Sequence, residues 1–131
     1  MQVKIVPHKN KDGFYTVVPY DSIDSDTHQV FKAKIQQLLL QGPRMVLLDL
    51  SGVDYISSAG LGALFSLKKS LMANKGELLF RNLKPQISKL FEIVKALPKE
   101  SVFKSIEEAD KYFYGVMNEE IRKQSDKPKK K

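Results

Sequence analysis

Arg44-Met-Val-Leu-Leu-Asp-Leu50 is a short apolar run with one polar interruption. Such a run reads as a strand covered on both faces, the kind found in a parallel sheet. Parallel neighbours cannot be joined by a tight hairpin and need long crossovers, usually helices. The flanking chain supplies them. On one side, Val30, Phe31, Ile35, Leu38 and Leu39 give an apolar stripe at helical spacing from about Thr27 to Leu40. Asp24, Ser25 and Asp26 can each cap its start, and Gly42-Pro43 ends it. On the other side, Leu61, Leu64, Phe65, Leu67, Lys68 and Leu71 form an amphipathic face on a helix from about Ser58 to Ala73.

The remaining segments complete an alternating order. Gln2–Val6 and Phe14–Pro19 are rich in β-branched and aromatic residues, and Asp12-Gly13 between them is a hairpin signal. Glu77–Arg81 is the next strand. Pro85 suits the first turn of a third helix, with Ile87, Leu90, Phe91 and Val94 spaced for burial. Ser101–Lys104 reads as a short final strand. Ser105-Ile-Glu-Glu108 matches a capping box that opens a fourth helix to about Met117. The order β-β-α-β-α-β-α-β-α predicts one α/β domain over residues 1–118, with a mixed sheet of about five strands and about four helices. Residues 119–131 read as a basic, disordered tail.

Composition excludes several classes of function. A chain of 131 residues can bury a core without staples. It has no cysteine, so a disulfide scaffold, a thiolate zinc site, an iron–sulfur cluster and a cysteine nucleophile are ruled out. No apolar run approaches the roughly 18 residues of a membrane span, and the N-terminus has no signal-peptide core. A cytoplasmic protein is expected. Of the net charge of +7, +5 lies in Arg122–Lys131, which has six basic residues and one acidic. The other 121 residues carry 16 basic and 14 acidic side chains, or +2. A basic tail attracts phosphates without specificity, and this one has no interleaved aromatics for base stacking, so no direct nucleic-acid binding is expected.

The informative stretch is Leu48–Leu64, which sets serines and glycines between the buried strand and the apolar helix. Backbone N–H groups in a first helical turn lack internal partners, and the dipole there is positive. Such a spot suits an anion: a carboxylate, a bound phosphate, or a phosphate carried by the protein. Ser57 and Ser58 stand at this boundary, and Gly60 and Gly62 keep the entrance free of bulk. Capping accounts for one of the two serines. A dinucleotide fingerprint is incomplete, because Phe65 stands where its third glycine belongs. His8 and His28 have no partner spacing for a triad or metal site, and no nucleophile elbow or Walker A motif occurs, so no enzyme, metal or cofactor is expected. Asp49, near the end of a central strand, is a candidate ligand-facing group. Asp24 is a second candidate, though on sequence alone it reads first as a turn or cap carboxylate.

Val46-Leu-Leu-Asp-Leu-Ser-Gly-Val-Asp-Tyr-Ile-Ser-Ser-Ala-Gly-Leu-Gly62 resembles the STAS domain, and within it the bacterial anti-sigma factor antagonists. The resemblance covers roughly Gln2 to Met117 and implies a mixed sheet with an initial hairpin and helices mainly on one side. Aligning Ala59-Gly60-Leu61 with the family motif places Ser58 on its phosphorylated position and Asp49 on its strand-end Asp or Asn. Ile23-Asp24 resembles the family's second site. Two positions depart from the pattern. Ser57 stands where the strictest motif has Asp, which makes it a second target behind Ser58, and Asp21 stands where the family often has Gly.

The resemblance implies partner switching. The unmodified protein binds an anti-sigma factor that is also a serine kinase and so frees a sigma factor. Phosphorylation on Ser58 releases the antagonist, and a serine phosphatase of the metal-dependent type restores it. The implied partner surface comprises Asp24, Asp49, Ser57, Ser58, Gly60 and Leu61. The alternative is a non-phosphorylated STAS module that regulates or scaffolds a transport or sensory complex. The switching reading requires that the Ser58 oxygen be reachable from solvent.

Overall fold

The computed structural model describes residues 1–96 and 106–125. Four strands, β1 (Gln2–Pro7), β2 (Phe14–Tyr20), β3 (Met45–Asp49) and β4 (Glu77–Arg81), form one sheet in the order β1-β2-β3-β4. The β1–β2 pair is antiparallel, with Gln2 opposite Tyr20 and Pro7 opposite Tyr15. Gly13, at φ 79°, takes the left-handed position that its turn requires. The pairs β2–β3 and β3–β4 are parallel, as the apolar run 44–50 demanded. Crossovers are supplied by α1 (His28–Leu39) and α2 (Ser58–Ala73), and α3 (Pro85–Ala96) and α4 (Ile106–Ser125) follow.

The sheet has four strands rather than about five; the final strand expected at Ser101–Lys104 lies outside the described residues. β3 is also less covered than its composition suggested. Val46 and Leu48 are fully buried, whereas Met45 and Leu47 on the other face are half-buried. The core lies on the Val17, Val46 and Leu48 face, and includes Phe31 and Ile35 of α1, Leu64, Leu67 and Leu71 of α2, and Ile87 and Leu90 of α3. Phe65, assigned to the buried stripe of α2, is 51% exposed.

α4 does not stop near Met117 but continues to Ser125, into the segment expected to be a tail; residues 126–131 are outside the described range. Phe113, Met117 and Ile121 extend one face at four-residue steps. The first two are buried, and α4 packs against both α3 and α2. Among the described residues, no helix is long and apolar enough to cross a membrane.

Candidate functional site

Two loops meet at the start of α2. The first follows β2. Asp21 there has φ 120°, a conformation natural to glycine and strained for aspartate. Asp24 then turns the chain into α1: its Oδ1 accepts from the N–H of Asp26 (2.9 Å) and of Thr27 (3.0 Å) and from the Thr27 hydroxyl (3.1 Å). Its own N–H donates to Thr27 Oγ1 at 3.0 Å, so the Asp24–Thr27 pair closes on itself like a capping box.

The second loop, between β3 and α2, is stitched to the first through the backbone. Ile23 N–H donates to the Tyr55 carbonyl (3.0 Å), and Ser57 N–H donates to the Ile23 carbonyl (2.9 Å). Ile23 and Ile56 form a parallel bridge and are both fully buried. Gly60 completes the seat. A Cβ added there would lie 2.1 Å from the Ile23 carbonyl oxygen, so only glycine permits α2 to approach this closely.

The two serines divide the work. Ser57 is the N-cap: its backbone is extended (φ −82°, ψ 173°) and its Oγ accepts from the Gly60 N–H at 3.1 Å. Ser58 is therefore free of the capping role. Its N–H donates to Asp110 Oδ1 of α4 at 2.7 Å, so a carboxylate fifty-two residues away supplies the anion that the helix start attracts. Ser58 Oγ is buried and, among the described residues, has no hydrogen-bond partner. In this arrangement the hydroxyl is not reachable from solvent, contrary to what the switching reading requires. Beside it, Tyr55 and Tyr114 of α4 stack with centroids 5.7 Å apart and planes 10° from parallel. Asp24, Ser57, Asp110, Tyr114 and Met117 line one groove of about 290 Å³.

The six expected partner residues are thus only partly united. Asp24 and Ser57 face the same groove, with Ser58 next to them. Gly60 and Leu61 are buried; Leu61 is 5% exposed, and their part is to seat the helix. Asp49 is also inside and is bonded elsewhere. Its carboxylate accepts from Ser51 N–H (3.0 Å) and Asn82 Nδ2 (3.1 Å), with Arg81 Nε at 3.7 Å. Burial pushes this carboxyl up, but the Ser51 N–H and hydroxyl, the Asn82 amide and the Arg81 charge outweigh it and hold the pKa below its ordinary value. Asp110 and Tyr114 were not anticipated from sequence. The available signal was the face of α4: Asp110 falls at three- and four-residue steps before Phe113, Tyr114 and Met117, an acid within an apolar stripe. Among the described residues, no cluster of three or more His, Asp or Glu is placed to hold a metal.

The family model of the STAS domain matches residues 7–109. BtrV of Bordetella bronchiseptica, named for anti-sigma factor antagonism, is 35% identical over 82 residues, covering 63% of this chain and 71% of BtrV. The anti-sigma-B factor antagonist of Staphylococcus aureus is 30% identical over 83 residues, covering 63% and 77%. Among solved structures, the Bacillus cell fate determinant SpoIIAA in its phosphorylated form superposes with a TM-score of 0.56 at 17% identity, over 70% of this chain and 83% of SpoIIAA. At that identity the likeness establishes the fold.

Proposed function

The chain belongs to the STAS domain family, and we propose that it is an anti-sigma factor antagonist switched by phosphorylation of Ser58. Unmodified, it binds an anti-sigma factor that is a serine kinase, and so frees a sigma factor. In the switching step, Ser58 Oγ takes the γ-phosphoryl group of ATP. The new O–P bond forms as the bond to ADP breaks, and the hydroxyl proton passes to a base on the kinase. Hydrolysis by a metal-dependent serine phosphatase returns the hydroxyl and inorganic phosphate. The chain is substrate and signal, not catalyst.

The observation that carries the reading is the division of labour between the serines. Ser57 takes the cap, which leaves the Ser58 hydroxyl at a helix N-terminus, one residue on from the groove that Asp24 and Ser57 line, without a capping role. The names of the two relatives point the same way. A phosphate on Ser58 adds about −1.5 to −2 charge, which the dipole of α2 tolerates. A partner shaped for the neutral hydroxyl beside Asp24 meets charge and bulk instead. Like-charge juxtaposition at an interface costs several kcal/mol, and about 3 kcal/mol weakens binding roughly a hundredfold.

The buried Ser58 oxygen favours a second reading, a STAS module that is never phosphorylated and regulates or scaffolds a larger complex. Recovering the protein from its native cells and locating phosphate by peptide mass spectrometry separates the two. Phosphate on Ser58, with Ser58→Asp binding the anti-sigma partner about a hundredfold more weakly than wild type, is the expected result. An unmodified Ser58 under every growth condition, or full affinity of Ser58→Asp, transfers the case to the scaffold reading.

A further inference from the structure

The switching proposal and the covered hydroxyl are compatible only if something moves, and α4 is the element bonded across this helix start. Three contacts place it there. Asp110 Oδ1 accepts the Ser58 N–H at 2.7 Å. Tyr114 stacks on Tyr55, two residues before the N-cap Ser57. Phe113 and Met117 are 6% and 2% exposed, so the same face is pressed into the core. On the residue whose N–H Asp110 holds, Ser58 Oγ is buried and, among the described residues, without a partner. A buried hydroxyl left unpaired is unfavourable, so the docked arrangement carries a local defect at the position to be modified.

We propose that α4 is a latch over Ser58: docked, it withholds the hydroxyl from a kinase, and a phosphate on Ser58 keeps it undocked. This inference rests on Ser58 being the modified residue. Its second half follows from charge. The start of α2 attracts one anion, and Asp110 is that anion in the unmodified protein. A phosphoryl group on Ser58 Oγ competes for the same N–H groups and sets a second negative charge against the Asp110 carboxylate. The oxygen that carries it is also shut off from solvent, so attaching a phosphate displaces what encloses it. Asp110 docked and phosphate attached are therefore alternatives. The kinase acts on the open form, so the rate of modification scales with the open population.

The chain has no cysteine, so Ser58→Cys introduces a single thiol whose reaction with iodoacetamide measures access at this position. Rates are taken across pH and compared as thiolate rates, which removes differences in thiol ionisation. The native Ser58→Cys protein is expected to react at least tenfold more slowly than the same protein unfolded in urea. Adding Tyr114→Ala, which removes one ring of the stack without changing charge, is expected to speed the reaction about threefold to tenfold. Tyr55→Ala tests the same contact from the other side if Tyr114→Ala fails to fold. In a second arm, phosphoserine is installed at position 58 during translation and amide exchange is followed. Loss of protection in α4 with the sheet amides unchanged is expected. A Ser58→Cys thiol as reactive as in the unfolded chain, an unchanged rate when the stack is removed, or an equally protected α4 in the phosphoprotein overturns the latch. Neither arm uses a kinase, so the latch can fail while cellular phosphorylation stands, and the reverse.

Discussion

Gly60→Ala should damage this protein while Gly62→Ala, two residues on in the same helix, should strengthen it. Both substitutions gain helix propensity of about 1 kcal/mol. At Gly62 a Cβ meets nothing within 4 Å, so the gain is kept. At Gly60 the Cβ would lie 2.1 Å from the Ile23 carbonyl oxygen, 2.8 Å from its carbon and 2.9 Å from Ile23 Cγ2. The oxygen cannot yield, because it already accepts the Ser57 N–H at 2.9 Å. Reaching ordinary contact requires α2 and the Ile23 strand segment to separate by more than an ångström, which breaks that bond and opens the Ile23–Ile56 bridge. Overpacking of this kind costs about 1–3 kcal/mol, and more where backbone is the obstacle. With backbone as the obstacle the cost sits at the upper end, about 3 kcal/mol, and a net loss of about 2 kcal/mol remains after the propensity gain. For a chain of this size that is a fall in Tm of about 7 °C, against a rise of about 4 °C for Gly62→Ala. Urea and thermal unfolding, each monitored by circular dichroism, measure both. If the two variants move in the same direction, or Gly60→Ala matches wild type, the close seating of α2 on Ile23 is wrong.

Two further outcomes follow from local geometry. Asp49→Asn should cost about 1–3 kcal/mol at neutral pH, because it removes the charge that the Ser51 N–H, Asn82 and Arg81 surround. The Asp49 pKa is lowered by folding, so its contribution is full above the ordinary carboxylate pKa and is lost as pH falls through the depressed value. The stability gap between wild type and Asp49→Asn in urea titrations should therefore shrink on acidification; a gap independent of pH contradicts this. Asp21 holds φ 120°, a strain of about 1–3 kcal/mol, so Asp21→Gly should raise stability by about 1 kcal/mol after glycine's entropic cost. Asp21→Ala keeps the strain and should not; equal midpoints for the two variants would exclude it.

The parts of this fold that were legible in sequence are those set by short-range pattern. Arg44–Leu50 announced a central parallel strand, and the stripes of α1 and α2 announced its crossovers, because periodicity records which face is buried. It does not record how completely. Phe65 fits the stripe of α2 yet stands half in solvent, and Met45 and Leu47 are only half-covered. The end of α4 was missed because polar residues after Met117 hide the continuing step to Ile121. At the site, sequence marked Ser57 and Ser58 together but could not divide their roles, since the cap is chosen by the extended backbone of Ser57. Asp49 looked ligand-facing because its partner Asn82 lies thirty-three residues on, where no local pattern shows it. Asp110 is more distant still, and its pairing with the Ser58 N–H exists only once α4 has docked.

The junction beneath Ser58 is joined mainly by peptide groups: Ile23 N–H to Tyr55, Ser57 N–H to Ile23, and a glycine with no side chain to interfere. Main-chain fastenings ask little of the residues that decorate them. The surrounding side chains can therefore be exchanged without unseating α2, so the position of the helix start and the chemistry of its rim are free to vary apart.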